Sequence, residues 1–402
     1  MEINYVAFAI PAFFIFLGLE YAVAIRKGKS HLFKYENSAS NISVGIAERL
    51  LNLLITGSFY SLFYYVYNRF AILSIPNHWI VWMVLLLATD LVWYWYHRMG
   101  HEINLFWGAH IVHHQSEEFN YTVSARITTL QAIVRNLFWC ILPIIGFHPS
   151  MVIAILVVHG TYSFFTHTQL IGKLGWLEHI FITPSHHGVH HASNEKYLNK
   201  NYGDIFVFWD KMFGTFQKEE ERPVFGLTHP LKSHSFLWQH FHYYMELWAA
   251  CRKKNSVWQV LKIIFGRPED IDQSLRVALE KKLLLPKAGM NSTFRFKVYL
   301  NVQLVLSVII LFAFTLLFFY NDPYQKGFVI AFILLTLVNC GAMLEQQKWI
   351  HYLELSRLIL LCGFLSYTIG SPIFLIASLT FLFLFIYTIP AQQWYYKFVY
   401  NK

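Results

Sequence analysis

Long apolar stretches alternate with short polar ones along this chain. Runs near 5–25, 47–67, 79–96, 301–320, 327–344 and 371–389 are almost free of charge, and each is close to the roughly 20 helical residues that cross a bilayer. Shorter or interrupted runs lie at 130–147, 150–166 and 358–370. Lipid offers backbone N–H and C=O groups no water to bond to, so runs of this length are stable there only as helices or closed barrels. The runs are too long and too uniformly apolar for barrel strands. They predict an all-α, polytopic integral membrane protein.

Pro149 and its neighbours separate 130–147 from 150–166, which therefore read as a helical hairpin entering and leaving on one side. Residues 168–296 hold most of the remaining polar sequence and no run that could span. They read as a cap, with amphipathic pieces resting on the bilayer. From about 297 nearly pure apolar spans return. Three parts are expected: N-terminal transmembrane helices over 1–78, a catalytic region with its cap over 79–296, and a membrane-embedded accessory domain over 297–402.

Charge orients these parts. Arg26, Lys27, Lys29 and Lys34 follow the first run, which by the positive-inside rule has a cytoplasmic C-terminal end. Counting onward, the stretch from His97 to His114, residue His167 and the cap all fall on the cytoplasmic face. The start of the chain lacks a basic region and a small-residue cleavage site, so its first run reads as a retained span rather than a signal peptide.

Composition agrees with this picture. Of 402 residues 56% are hydrophobic and only 14% charged, and the mean hydropathy is +0.39, too apolar for an ordinary soluble domain. The formal charge of +9 flanks the apolar spans instead of interleaving with aromatics, which favours an anionic membrane surface over nucleic acid. Cys140, Cys251, Cys340 and Cys362 are scattered and suggest neither a disulfide framework nor a thiolate metal site.

Candidate chemistry lies in the histidines. His97-Arg-Met-Gly-His101, His110-Ile-Val-His113-His114 and His187-Gly-Val-His190-His191 stand where apolar runs meet polar sequence. Helical residues three or four apart share a face, so His97 with His101, and His110 with His113 or His114, can address one ion. The third cluster repeats the second one's spacing. Eight imidazoles divide over two ions as four each, leaving open positions for water, dioxygen or a carboxylate, and imidazole suits Fe, Zn, Cu or Ni. Glu102 is the nearest carboxylate, able to ligate, bridge or orient a histidine. His167, at the end of an apolar run, is a candidate ninth ligand because an ionisable group at membrane depth is functional by default. His159 reads as structural or orienting, His179 and His186 as spare.

Several chemistries are excluded. His101-Glu102 begins like the HExxH of metalloproteases, but the fifth position is Leu105. No GxSxG, P-loop, GxGxxG or haem-binding His-Pro-Gly-Gly occurs, so the chain shows no built-in nicotinamide, flavin or haem electron source. Trp93, Trp95, Phe106 and Trp107 around the first two clusters read as an interfacial aromatic belt.

The arrangement resembles the fatty acid hydroxylase or sterol desaturase superfamily, whose pattern is HxxxH, HxxHH and a later HxxHH. The likeness extends to Thr183-Pro-Ser-His-His-Gly-Val-His-His191, Lys200-Asn-Tyr-Gly203 and Trp209-Asp-Lys-Met-Phe-Gly-Thr-Phe216. Within it the chain is similar to the tetrahydrobiopterin-dependent branch that cleaves the ether bond of alkyl glycerols. That likeness rests on His97-Arg-Met-Gly-His-Glu102, His113-His-Gln-Ser-Glu-Glu-Phe-Asn120, Phe225-Gly-Leu-Thr-His-Pro230 and Met343-Leu-Glu-Gln346. It implies a two-iron centre held by His97, His101, His110, His113, His114, His187, His190 and His191, with Glu102 on a carboxylate position the family uses. It further implies a lipid substrate, O2, and tetrahydrobiopterin or a redox protein as electron donor, in a bacterial inner membrane or the endoplasmic reticulum. The alternatives are a fatty acyl, sterol or carotenoid hydroxylase or desaturase fed by ferredoxin or cytochrome b5, a metal transporter, and an inactive scaffold.

Overall fold

A computed structural model describes residues 3–284, 293–388 and 390–400. It is helical throughout, with two isolated β-bridges and no strand among the described residues. Helix α1 (Ala9–Arg26) leads to α2 (Tyr35–Phe70). At 1.5 Å per residue the 36 residues of α2 extend about 54 Å, well past the roughly 30 Å hydrocarbon core. Its N-terminal portion is the more buried, through Ala39, Ser40, Asn41, Ser43, Val44, Ile46, Ala47, Glu48 and Leu50. That portion is the post on which the cap is mounted.

Helix α3 (Trp79–Glu102) is followed by the short α4 (Asn104–His110) and α5 (Tyr121–Ser124), then α6 (Thr129–Trp139), α7 (Ile141–Ile145) and α8 (Pro149–Thr166). Leu85 of α3, Phe63 of α2, Trp139 and Leu142 of α6 and α7, and Met151, Val152 and Ile155 of α8 form one buried cluster. The cap contains α9 (Pro184–His190), α10 (Phe208–Met212), α11 (Phe236–Cys251), α12 (Val257–Ile264) and α13 (Ser274–Leu283). Then come α14 (Phe294–Leu316), α15 (Pro323–Leu344), α16 (Ile350–Ile369), α17 (Pro372–Thr388) and α18 (Ala391–Tyr400). Seven of the described helices are long and apolar enough to cross a membrane, or eight if the bent pair α17 and α18 is one span. The chain is a multi-pass membrane protein.

Three spans differ from the apolar runs. The run at 47–67 belongs to a helix that starts at Tyr35, where Asn37, Ser40 and Asn41 interrupt the hydropathy while bonding Glu118, Gln239 and Thr122 across the fold, and Ser43 donates to Ala39 O of the same helix. The run at 79–96 continues to Glu102 and so carries His97 and His101 on one rigid helix. The run at 358–370 begins at Ile350, its charge hidden in an Arg357–Glu354 pair at 2.7 Å, since an ionised group in lipid needs a partner.

The C-terminal helices share a core with the first two. Leu300 and Leu304 of α14 and Ile333 and Leu337 of α15 pack with Ile10, Ile46 and Leu50. The Met343-Leu-Glu-Gln346 stretch lies where α15 meets the cap. The buried Glu345 carboxylate accepts from the Ser233 hydroxyl at 3.2 Å and from the His234 N–H.

A turn at the far end of α2 holds the tip of the α7 and α8 hairpin. Ile72 N donates to Ile144 O at 2.8 Å and Leu73 N to Ile145 O at 3.1 Å. Gly146 stands at φ 124°, and a Cβ there would lie 2.1 Å from the Leu73 carbonyl oxygen. Both the positive φ and the backbone approach require glycine. Gly146→Ala is expected to destabilise the protein by about 1–3 kcal/mol, read as a lower thermal unfolding midpoint in detergent. Gly160→Ala, on α8 with nothing within 4 Å of the added carbon, is the control and should leave the midpoint unchanged or raise it.

Candidate metal centre

All nine singled-out histidines come together. The long gaps between them in sequence close because the ends of α3, α4 and α8 and the whole of α9 lie at one level of the fold. They do not divide four and four, as expected from spacing. His97, His101, His110, His114 and His190 form one group, and His113, His167, His187 and His191 form another, with ligand-capable atoms of each group within 4.8 Å of one another.

Helical geometry explains the division. In each H-x-x-H-H box the first and last histidines are one turn apart and face the same way, with Nε2 atoms 3.2 Å apart for both His110 with His114 and His187 with His191. The middle histidine points off that face and crosses to the other group. His113 thus joins the second group, 3.2 Å from His167, while His190 joins the first. His97 and His101 enlarge the first group to five. His167 enlarges the second by one, since the residue a turn before it is Ser163.

Three of the rings are held with Nε2 turned toward the cluster. His97 Nδ1 donates to Tyr202 O at 2.9 Å, and its Nε2 lies 3.1 Å from His110 Nε2. His167 Nδ1 donates to Ser163 O at 2.7 Å, with its Nε2 3.0 Å from His187 Nε2. His190 Nδ1 donates to Lys200 O at 2.9 Å, and the buried Nε2 atoms of His190 and His101 have no partner. A ring that donates through Nδ1 turns an Nε2 lone pair inward. Facing lone pairs repel unless a cation lies between them, and an all-imidazole donor set suits iron.

Burial and the neighbouring imidazoles push His110, His113, His114, His187, His190 and His191 well below the ordinary histidine range. Burial, with a smaller contribution from His97, brings His167 down to about 4. The cluster is therefore neutral at physiological pH, the form that binds metal.

Three buried carboxylates hold the loop whose carbonyls orient His97 and His190. Asp210 accepts from Tyr202 N and Gly203 N, both at 2.8 Å, and from Thr215 Oγ1 at 2.7 Å. Gly203 is needed for this approach, as a Cβ would meet Asp210 Oδ2 at 2.8 Å. Asp90 accepts from Ile205 N, Phe206 N and the Trp209 indole, and Asp204 takes His159 Nδ1 at 2.6 Å. Trp93 lies parallel to His159 and edge-on to His97, so it walls the site. Asp90 and Asp204 were not among the residues singled out. A lone carboxylate amid an apolar span was the available signal for Asp90.

Glu102 is not brought into either group. Its carboxylate accepts from Arg98 Nε at 2.9 Å and is a third exposed. His186 stays outside as well, facing Phe181 O and Phe216, and His179 lies on the surface. Phe119 covers His167, His187 and His191 and stacks on Phe225 with centroids 4.9 Å apart. Arg126 is buried and ties the second box to α2 and α11, through Val112 O at 2.6 Å, Asn41 at 2.9 Å and Gln239 at 3.1 Å.

Two outcomes follow. Asp210→Ala frees the loop and is expected to weaken iron retention about 10–100-fold, measured by metal analysis after dialysis against a chelator; Asp210→Asn, which keeps one acceptor oxygen, should lose less. Acid should act likewise. An unfolded histidine takes up a proton below about 6.5, whereas these folded ones resist protonation, so stability and metal retention fall as pH drops below that value and continue falling toward the depressed folded values. Iron content after gel filtration along a descending pH series checks the direction.

Comparison with known proteins follows this geometry. Residues 82–215 match the fatty acid hydroxylase family model, a stretch that contains every histidine of both groups. The chain is 30% identical over 410 residues to alkylglycerol monooxygenase of Homo sapiens, covering 97% of this chain and 88% of that protein. It is 30% identical to those of Danio rerio and Xenopus tropicalis, in each case over 89% of this chain and 81% of the relative. No solved structure matches the chain. Two groups of buried imidazoles at the end of membrane helices, in a sequence collinear with these enzymes nearly end to end, establish that the chain belongs to the alkylglycerol monooxygenase family.

Proposed function

We propose that this membrane enzyme uses O2 to hydroxylate the carbon beside the ether oxygen of an alkyl glycerol lipid, with two irons, one in each histidine group, and tetrahydrobiopterin as the electron donor. The observation that carries the reading is the pair of clustered imidazole groups, five and four strong, in a chain collinear with alkylglycerol monooxygenases over 97% of its length. His97, His101, His110, His114 and His190 would hold one iron, and His113, His167, His187 and His191 the other.

When bound, the irons supply the redox chemistry that activates dioxygen. One oxygen atom enters the C–H bond as a hydroxyl, the other leaves as water, and the reductant provides two electrons and two protons. The product is a hemiacetal. Its hydroxyl proton passes to the ether oxygen as that C–O bond breaks, leaving an aldehyde and a free glycerol hydroxyl.

The chain's own residues bind and shield. The carbonyls of Lys200, Tyr202 and Ser163 fix the orientation of His190, His97 and His167, while Phe119, Trp93 and Tyr202 exclude water from the two groups. Glu102, beside His101 and held by Arg98, keeps the role of a carboxylate at the edge of the first group, where it meets an incoming reductant or proton. Positive charge after the first span supports a cytoplasmic orientation of the histidines, in a bacterial inner membrane or the endoplasmic reticulum. The absence of nicotinamide, flavin and haem motifs supports an external donor.

Purified, iron-loaded protein in lipid is expected to release a fatty aldehyde from 1-O-alkyl glycerol when given tetrahydrobiopterin and O2, and not when given ferredoxin or cytochrome b5. Aldehyde formed only with a redox protein, or from acyl lipids alone, would replace the ether-lipid reading with the acyl or sterol hydroxylase one. His113→Ala and His190→Ala, though from different sequence boxes, should each remove about one of two irons per chain and lower turnover at least about 100-fold. Unchanged iron content in both would overturn the two-group assignment.

A further inference from the structure

Among the described residues, helix α12 (Val257–Ile264) is the one cap helix of eight or more residues with no buried residue. Val257, Trp258, Leu261 and the following Phe265 are exposed by 77%, 66%, 38% and 56%. At about 100° per residue they fall within an arc of about 100°. Val260, Ile263 and Ile264 lie on the half-buried side that packs on the protein, and Gln259 and Lys262 between the two. Leu237, Phe241 and Trp248 form a second exposed stripe on α11, the helix against which α12 packs.

The level of α12 is set by the end of a span. Asn104, two residues beyond the last residue of α3, donates from its backbone N to Gly266 O at 2.9 Å and from Nδ2 to Ile263 O at 2.7 Å. The C-terminal turn of α12 is thus one hydrogen bond from where the chain leaves the bilayer. Its charge matches that position. Arg252, Lys253, Lys254, Lys262 and Arg267 fall between 252 and 267, a stretch without a carboxylate. Arg252 lies 4.8 Å over Trp248 and Lys262 6.0 Å over Trp258, the position of cations that reach from an apolar face toward head groups.

We propose that α12 is an in-plane anchor whose Val257, Trp258, Leu261 and Phe265 face enters the head-group boundary of an anionic leaflet, forming the edge past which the lipid substrate reaches the five-histidine group. An interfacial helix is recognised by this combination of apolar arc and basic flanks, and each basic residue near an anionic surface adds attraction. The neighbouring Asn104 starts α4, which ends at His110, so a lipid displaced by α12 stands beside the first group with its head group still wet. The second half of the proposal rests on the lipid-oxidising reading; the first half does not.

Two experiments separate these halves. The unmodified full chain in vesicles is labelled with a bilayer-partitioned carbene probe and mapped by mass spectrometry. Modification at 257, 258, 261 and 265 to an extent matching exposed Ile373 and Phe381 of α17 is expected, stronger in vesicles containing about one-third phosphatidylglycerol than in neutral ones, with Gln259 unlabelled. Absence of label on α12 in both vesicle types overturns the anchor. So does labelling that appears only on dilution, which would show the face covered by a second copy of the chain. The variant Trp258→Glu/Leu261→Glu should raise KM for vesicle-borne lipid at least about fivefold while kcat, and turnover in detergent micelles, stay unchanged. Equal loss in micelles and vesicles, or no loss in either, overturns the role in substrate access even where the labelling stands. A failure of ether-lipid turnover in the unmodified protein leaves the labelling result untouched.

Discussion

Nitrogen atoms of buried imidazoles face each other at 3.0–3.2 Å in both groups, and that crowding constrains the rest of the molecule. Neutral rings in water would rotate apart or bind solvent. Here burial keeps water from all of them, and carbonyl acceptors on the outer nitrogen of His97, His167 and His190 keep those three rings from rotating. Such an arrangement is costly without a cation and favourable with one. The fold must therefore be rigid before metal arrives. Long helices and a carboxylate-clamped loop provide that rigidity, with Asp90 and Asp210 each accepting from two successive backbone N–H groups or their neighbours.

The exchange of middle histidines between boxes has its own consequence. If each H-x-x-H-H box served its own ion, the two groups would be linked only through the general fold. With His113 and His190 crossing, a shift of α9 relative to the turn after α4 disturbs both groups at once. The two groups therefore share one geometric fate. Phe119, lying against three histidines of the second group and stacked on Phe225, closes the pair from the cap side.

Much of this was legible in the sequence, for identifiable physical reasons. Apolar runs announce spans because lipid tolerates little else, and imidazoles three and four apart announce a shared face because helical pitch is fixed. His167 was legible by the same reasoning, as a titratable group at membrane depth. The partition into five and four was not. Spacing shows which histidines share a face but not which elements meet across the fold, and His113 and His190 are assigned by tertiary contact. Polar residues also masked helix. Asn37 to Ser43 lie outside the apolar run at 47–67, because the groups that satisfy Asn37, Ser40 and Asn41, namely Glu118, Gln239, Ser116 and Thr122, lie far away in sequence. Glu102 read as a neighbour of the metal from adjacency to His101, yet one residue of helical rotation turns it to Arg98.

The same rotation bears on how the centre is reached. His101 and Glu102 end α3 at the level where the span leaves the bilayer, so the helix delivers one side chain to a dry interior and the next to the boundary. Histidines deeper in the membrane would be inaccessible to a water-soluble reductant, and histidines farther into the cap would be beyond a lipid that stays in its leaflet. The long α2, projecting past the hydrocarbon core, and the Glu345 contact that docks α15 to the segment before α11, hold the cap against this boundary from two sides. The height of the histidines relative to the membrane is therefore a property of the whole helical frame, including spans that contribute no residue to either group.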